Sequence, residues 1–160
     1  MSTTFDPERD LVLDRTAAVD PSFVWDAWTQ PEILKRWFCP APWQTVHAEM
    51  DLRPGGVFRT VFRGPAGEEH DNTGCFLEIV PKSRLVWTGA LGPGYRPQAL
   101  GPAVPFVMTA VISIEPSGGG TRYRATVLHA DAEGRRQHEA MGFEQGWGAA
   151  FDQLVALAKR

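Results

Sequence analysis

Apolar and polar residues alternate along several segments of this chain, which indicates β-strands that each have one buried face. The first alternating segment runs from Leu11 to Ala18. The apolar sides of the later segments are Val46, Ala48, Met50 and Leu52; Phe58, Thr60 and Phe62; Met108, Ala110, Ile112 and Ile114; and Tyr123, Ala125, Val127 and His129. Polar residues occupy most of the positions between them. We therefore expect an antiparallel sheet that is covered on one face and wet on the other.

The segment around Phe76 does not show which way its side chains point. Glu78 shares the parity of Phe76 and favours an outward Phe76, with Cys75, Leu77 and Ile79 pointing inward. The register of this strand stays open.

Helical patterns follow the first strand and end the chain. Asp20 before Pro21 is typical of a helix start, and a second short helix is predicted to begin at Pro31. The range Glu133 to Lys159 is mostly free of helix breakers, which predicts one long C-terminal helix lying across the sheet. Its apolar stripe is Trp147, Phe151, Leu154 and Ala158.

Glycine and proline mark the connections. Arg53-Pro54-Gly55-Gly56 predicts a tight turn between two strands, with a salt bridge or cap from Asp51, and Gly118-Gly119-Gly120 predicts a hairpin turn. Residues 92–103 contain three Gly and three Pro. This composition predicts an irregular segment that forms a mobile rim.

Composition narrows the function. The 160 residues fit one domain, 1–160, with an ordered core over about 10–158. The net charge is -3 and the arginines are scattered, which argues against binding of nucleic acid. Cys39 and Cys75 have no metal-ligand spacing. The polar start and the absence of a long apolar run predict a cytoplasmic protein without a membrane span.

The remaining polar residues give little support for a catalytic or metal site. His47 and His138 are interpreted as surface residues, and His70-Asp71-Asn72 as a turn before Gly74 with little support for a metal site. No serine-nucleophile, dinucleotide-binding or H-E-x-x-H motif occurs, so no cofactor, metal or catalytic residue is predicted.

Three segments, taken in order, carry a family resemblance: Val24-Trp25-Asp26-Ala27-Trp28, Asp51-Leu52-Arg53-Pro54-Gly55-Gly56-Val57-Phe58, and Gly146-Trp147. The chain resembles the superfamily of START domains, plant pathogenesis-related allergens and polyketide cyclases over about Leu11 to Leu157. Within that superfamily it is similar to the activators of the 90-kDa heat-shock protein ATPase. The resemblance implies an α+β helix-grip fold: a curved antiparallel sheet of six to seven strands around a long C-terminal helix, with two short helices after the first strand. These proteins share a scaffold and not a common set of catalytic residues.

A sheet that grips a helix leaves a cleft unless large side chains fill it. Six tryptophans and nine phenylalanines are available either to line such a cavity or to plug it. The predicted ligand-binding residues are Trp37, Trp43, Phe58, Phe62, Trp87, Met108, Tyr123, His129, Phe143 and Trp147. Among them, His129 is the polar group that could orient a ligand or move a proton.

The leading hypothesis is non-catalytic binding of a small, largely apolar molecule. One alternative is a cavity enzyme of the polyketide cyclase type using His129, although Tyr123 lies roughly 20 Å away along the same strand. Another is a co-chaperone-like module that binds a chaperone, although the known activators have an additional domain. Self-association through an open edge strand, giving a homodimer, is a further expectation.

Overall fold

The chain forms a seven-stranded antiparallel sheet with helices on one face. Residues 5–99 and 106–159 are described by the computed structural model. Its elements in chain order are β1 (Asp10–Ala17), α1 (Pro21–Thr29), α2 (Pro31–Leu34), β2 (Gln44–Met50), β3 (Val57–Arg63), β4 (Glu69–Val80), β5 (Arg84–Thr88), β6 (Leu91–Gly92), a 3₁₀ turn (Pro93–Tyr95), β7 (Arg96–Pro97), β8 (Met108–Ser117), β9 (Gly120–His129), α3 (Ala132–Ala140) and α4 (Phe143–Ala158). This order confirms the predicted α+β helix-grip fold.

The strand order in the large sheet is β1-β9-β8-β5-β4-β3-β2. The first strand therefore pairs with the last one, and β2 forms the opposite edge. The turn between β8 and β9 contains Gly118 and Gly119 with φ of 53° and 84°, a conformation that favours glycine. The predicted hairpin turn is confirmed.

The two faces of the sheet differ as the alternation predicted, and β9 shows this clearly. Tyr123 and Val127 are buried, whereas Arg122 and Arg124 are exposed. Arg122 donates to Asp14 on β1, with Nη2 and Oδ2 2.8 Å apart. The outer face thus carries charged side chains that pair across strands, and the inner face is apolar.

A β-bulge settles the register around Phe76. Phe76 pairs with Trp87, but the next pair is Glu78 with Val86, so Leu77 is the extra residue. Phe76 is fully buried in the core. Parity with Glu78 favoured an outward Phe76, and the register left open from sequence is inward because the bulge breaks the simple alternation.

The single C-terminal helix predicted from Glu133 to Lys159 is in fact two helices. The chain breaks at Met141 and Gly142, where Gly142 has φ of 91°. A positive φ ends a right-handed helix and is easiest for glycine. The break leaves α4 across the sheet and lets α3 pack against β1, β9 and α4.

The glycine pair after β2 is required by close backbone contacts. Gly55 N–H donates to the Phe76 carbonyl at 2.7 Å, and Phe76 N–H donates to the Gly56 carbonyl at 3.0 Å. A Cβ on Gly56 would lie 2.0 Å from the Asp51 carbonyl oxygen. Asp51 also forms the expected ion pair with Arg53 at 2.6 Å. The turn is thus fixed to β4 at a position that only glycine fits.

The predicted irregular segment 92–103 is regular at its start. Leu91 pairs with Pro97 and Gly92 with Arg96, so β6 and β7 form a small hairpin. Gly94 N–H donates to the Gly55 carbonyl at 2.8 Å, which ties this hairpin to the turn after β2. The prediction of irregular structure is wrong for this hairpin. Residues 100–103 of the predicted segment lie outside the described residues.

The described part of the chain has no helix that is long and apolar enough to cross a membrane.

Candidate functional site

Aromatic side chains fill the space between the sheet and α4. Phe58 stacks on Phe76 with ring centroids 5.0 Å apart and meets Trp87 edge-on at 5.1 Å. From α4, Trp147 lies nearly parallel to Trp87 with centroids 6.5 Å apart. The sheet and helix therefore meet through packed rings.

Phe38 occupies the centre of these rings, and sequence reasoning missed it. Its ring lies 5.9 Å from Phe62 and 6.3 Å from Trp87, centroid to centroid. It is partly exposed and belongs to segment 35–43 between α2 and β2, which has no regular structure. No periodic pattern could have assigned it a face. We call the contacting series Phe62, Phe38, Trp87 and Trp147 the aromatic tract.

An open cleft of about 230 Å³ lies at the Phe62 end of this tract. Its lining is almost wholly apolar and consists of Cys39, Pro40, Trp43, Phe62 and His70. The His70 ring packs against Trp43 with centroids 5.2 Å apart. We call this hollow the apolar cleft. It brings together two of the predicted ligand-binding residues, Trp43 and Phe62.

The position of His70 corrects an expectation. His70, Asp71 and Asn72 lie within β4 and not in a turn. Asp71 pairs with Arg59 on β3, with Nη2 and Oδ2 2.8 Å apart. Among residues 5–99 and 106–159, no group of three or more His, Cys, Asp or Glu side chains could hold a metal ion.

Gln153 fixes the wall of the cleft to α4. Its Nε2 donates to the carbonyls of Trp37 at 3.1 Å and Cys39 at 2.9 Å. Its Oε1 accepts from the Ala41 N–H at 2.9 Å. Three hydrogen bonds from one side chain thus position a segment that has no helix or strand of its own.

Cys39 contributes an apolar surface to the cleft. It is buried, and the Thr45 hydroxyl lies 3.5 Å from its Sγ in hydrogen-bond geometry. Burial raises the pKa of the Cys39 thiol. A raised pKa keeps the thiol protonated and therefore a poor nucleophile.

One buried tryptophan N–H has no acceptor. Trp28 Nε1 donates to the Tyr123 hydroxyl at 3.2 Å, and Trp37 Nε1 donates to the Ala27 carbonyl at 3.0 Å. Trp87 Nε1 is also buried, but it has no partner within the described residues. An unpaired buried donor costs about 1–3 kcal/mol. The aromatic tract therefore contains a free hydrogen-bond donor.

Tyr123 has a structural role at the other end of the core. Its ring stacks on Phe151 with centroids 4.3 Å apart, and its hydroxyl is engaged by Trp28. Burial raises its pKa. Tyr123 is thus held in the packed interior, away from His129 at the far end of β9.

His129 uses both ring nitrogens within the protein. Its Nδ1 lies 2.8 Å from the Arg9 carbonyl oxygen, and its Nε2 lies 2.9 Å from Nδ1 of His138. A carbonyl only accepts, so Nδ1 of His129 carries the proton and Nε2 is the acceptor. His138 must then donate from Nδ1, which leaves its own Nε2 unprotonated. The polar anchor assigned to His129 has no free nitrogen.

His138, interpreted from sequence as a surface residue, is buried. The break at Gly142 places it among the rings of Phe106, Phe143 and Trp147, with centroid distances of 4.7, 5.1 and 6.3 Å. Burial, with a smaller effect from His129, lowers the pKa of His138 to about 4. Burial also lowers the pKa of His129. Both imidazoles are therefore neutral at pH 7.

The predicted ligand-binding residues all lie on the inner side, to different depths. The buried ones are Trp37, Phe58, Trp87, Tyr123, His129 and Phe143. The partly buried ones are Trp43, Phe62, Met108 and Trp147. A second hollow of about 120 Å³ lies beside Phe106, Asp131 and Gln137, near the His129 and His138 pair.

Comparison with solved structures shows the same architecture in proteins from several organisms. Protein NE0264 from Nitrosomonas europaea is 47% identical, with a TM-score of 0.91 and coverage of 97% of each chain. A protein from Rhodobacter sphaeroides is 23% identical, with a TM-score of 0.82 over 96% of this chain and 95% of that one. Protein Ms6760 from Mycobacterium smegmatis is 25% identical, with a TM-score of 0.74 over 94% and 90%.

The comparison with curated proteins gave no significant match. A family model, described as activator of Hsp90 ATPase homolog 1-like protein, matches residues 18–159. The match spans α1 to α4 and nearly all of the sheet. The chain belongs to the family of activator of Hsp90 ATPase homolog 1-like proteins.

Proposed function

We propose that this protein binds a small, largely apolar molecule that enters at the apolar cleft and lies along the aromatic tract. The observation that carries the proposal is the cleft itself, which is open, almost wholly apolar and about 230 Å³ in volume. A hollow of this kind, continuous with a layer of aromatic rings, favours a ligand with an apolar body.

Burial of apolar surface would supply most of the affinity. A ligand that buries about 150 Å² of apolar surface gains roughly 4 kcal/mol at 25 cal/mol per Å². The unpaired N–H of Trp87 adds a chemical requirement, since a ligand oxygen that accepts this bond removes the cost of the buried donor. The ligand we propose is thus an apolar molecule with at least one oxygen acceptor.

Entry into the tract requires Phe38 to move. Its ring separates Phe62, at the cleft, from Trp87, which carries the free donor. Phe38 is partly exposed and lies outside helix and strand, so its side chain can rotate without breaking an element. Rotation would open the cleft toward the indole of Trp87.

The proposal is tested with 2-methoxynaphthalene, which has an apolar body and an oxygen that only accepts hydrogen bonds. Phe62→Asp places a carboxylate in the cleft, where desolvation disfavours the charge. We expect this variant to bind the probe at least tenfold more weakly, as measured by NMR titration. Val12→Asp makes a comparable change at an exposed position on β1 and is the matched control.

Equal affinity in the wild-type protein and a folded Phe62→Asp variant would contradict binding at the cleft.

A further inference from the structure

We propose that two copies of this chain pair through their β2 strands, which run antiparallel about a two-fold axis at Ala48. The seven-stranded sheets of the two copies would then join into one continuous sheet. The inference concerns an edge of the sheet and does not depend on ligand binding, so it stands or fails independently of the proposed function.

The two outer strands of the sheet, β1 and β2, differ in how their backbone is covered. On β1, Arg135 Nε donates to the Asp10 carbonyl at 3.1 Å. Arg15 Nη1 donates to the Asp14 carbonyl at 3.0 Å. In the part of the chain that the structure describes, no side chain bonds to the backbone of β2 and no strand pairs with its outer side. An uncovered edge of this kind is a template for another strand.

The hydrogen bonds to β3 show which backbone groups of β2 face outward. Asp51, directly after the strand, donates its N–H to the Val57 carbonyl at 2.9 Å. Backbone groups of successive residues in a strand point to alternate sides, so those of Glu49 also face β3 and those of Ala48 and Met50 face outward. With a two-fold axis at Ala48, each Ala48 N–H donates to the Ala48 carbonyl of the other copy.

The side chains of β2 are complementary to themselves about this axis. It sets His47 of one copy opposite Glu49 of the other, twice, on the outer face where both are exposed. The two residues form a non-hydrogen-bonded pair, in which opposing side chains are closest. On the inner face it sets Val46 opposite Met50, which are both apolar and partly buried. Charge and hydrophobicity therefore match on both faces.

Other axes lose this match. An axis at Glu49 would set two Glu49 carboxylates face to face, and one at Met50 would set Glu49 against Asp51. Like charges directly opposite each other destabilise a sheet. Within Gln44–Met50, only the axis at Ala48 opposes Glu49 with a basic side chain. A second copy of the chain is therefore the partner that this edge fits.

The same register extends past the strand to Leu52. It sets Leu52 of one copy opposite Gln44 of the other, beside Trp43 of the apolar cleft. Leu52 is 40% exposed, and the dimer would cover part of this surface. The paired stretch is short, because a bulge at Val46 interrupts the strand. Small interfaces are typical of weak contacts, so we expect a dimer that forms reversibly at high protein concentration.

Sedimentation equilibrium measures the association and the effect of the charges on it. His47→Glu sets two carboxylates against each other at both pairs, and we expect it to raise the dissociation constant of the dimer about tenfold. Thr16→Glu makes a comparable change of charge at an exposed position on β1 and should leave the constant unchanged. A wild-type protein that stays monomeric at about 1 mM would overturn the proposal. A folded His47→Glu variant that dimerises as the wild type does would also overturn it.

Disulfide cross-linking tests the register directly. In the proposed dimer, the Cα atoms of positions 47 and 49 of different copies lie about 4.5 Å apart, within the range that a disulfide spans. Like positions of the two copies lie roughly 8 Å apart, which is beyond that range. We expect a linked dimer when His47→Cys and Glu49→Cys proteins are mixed and oxidised, and none from either variant alone.

The native cysteines, Cys39 and Cys75, are buried, and the wild-type protein treated in the same way is the blank. Cross-linking of either variant alone to the same extent as the mixture would overturn the axis at Ala48. A mixture that gives no linked dimer, under conditions where the wild type sediments as a dimer, would place the interface elsewhere and overturn the proposal.

Discussion

Burial decides the chemistry of two single residues, Trp87 and His138. The Nε1 of Trp87 is shielded from water and has no acceptor among residues 5–99 and 106–159. His138 is enclosed by aromatic rings, and burial lowers its pKa to about 4. Both side chains lie in the core, but only the indole N–H of Trp87 is a buried donor without a partner in the described part of the chain, whereas His138 shares a hydrogen bond with His129.

The lowered pKa of His138 predicts how stability depends on pH. In the unfolded chain a histidine takes up a proton near pH 6.5, whereas folded His138 does so only near pH 4. Between these values the unfolded state binds more protons, so the free energy of unfolding falls as the pH is lowered. The stabilisation is fully present above about pH 6.5, and about 3 kcal/mol of it is lost by pH 4.

Urea denaturation of the wild type and of His138→Asn, repeated at several pH values from 7 to 4, measures this effect. We expect the variant to lose less stability than the wild type over that range. Parallel curves for the two proteins would show that His138 is accessible to protons in the folded state.

Gln153 matters at the scale of elements, because it links α4 to the segment between α2 and β2. Its three hydrogen bonds end on Trp37, Cys39 and Ala41, which flank or line the apolar cleft. That segment contains Phe38, the ring that would have to move for the proposed ligand to enter. The order of the cleft therefore depends on one side chain of a neighbouring helix.

Gln153→Met keeps the length of the side chain and removes all three hydrogen bonds. We expect the free energy of unfolding to fall by about 1–3 kcal/mol, since the backbone groups lose their partners. The Ala41 amide should also exchange its hydrogen faster. Gln145→Met, at an exposed position on the same helix, is the control and should change stability by less than about 0.5 kcal/mol. Unchanged exchange at Ala41 would show that the segment is held by other contacts.

The sequence predicted elements wherever a local rule is sufficient. Alternation identified the strands, and Asp20 before Pro21 identified the start of α1, where the Asp20 side chain accepts from Ser22 N–H at 2.7 Å. Local rules failed at the bulge after Phe76, which shifts the parity of β4. They also failed at Gly142, because glycines at 134, 146 and 148 stay helical and the sequence does not show which one ends a helix.

The same limits apply to the candidate site. Strand parity correctly placed Phe58 and Phe62 on the inner face. Strand alternation cannot assign Phe38 to a face, because the residue lies in an irregular segment. His138 is interpreted from sequence as a surface residue, but the two-helix arrangement packs α3 against β9 and buries its side chain.

The two faces of the sheet give the whole molecule one charged side and one aromatic side. Arg59, Arg63 and Arg122 on the outer face pair with Asp71, Glu69 and Asp14, and the net charge is -3. Such exposed pairs contribute little to stability, with a typical value of about 0–1 kcal/mol each. The distinctive chemistry therefore lies on the inner face. Our proposal is that the ligand binds there, at the apolar cleft and the aromatic tract.

Native mass spectrometry of gently purified protein, followed by denaturing extraction and identification of what is released, tests this claim most directly. The account predicts a stoichiometric adduct whose extracted compound has an apolar body and at least one oxygen acceptor. A mass equal to that of the chain alone, in a preparation that also fails to take up 2-methoxynaphthalene, would contradict it and show that the aromatic rings form a closed core.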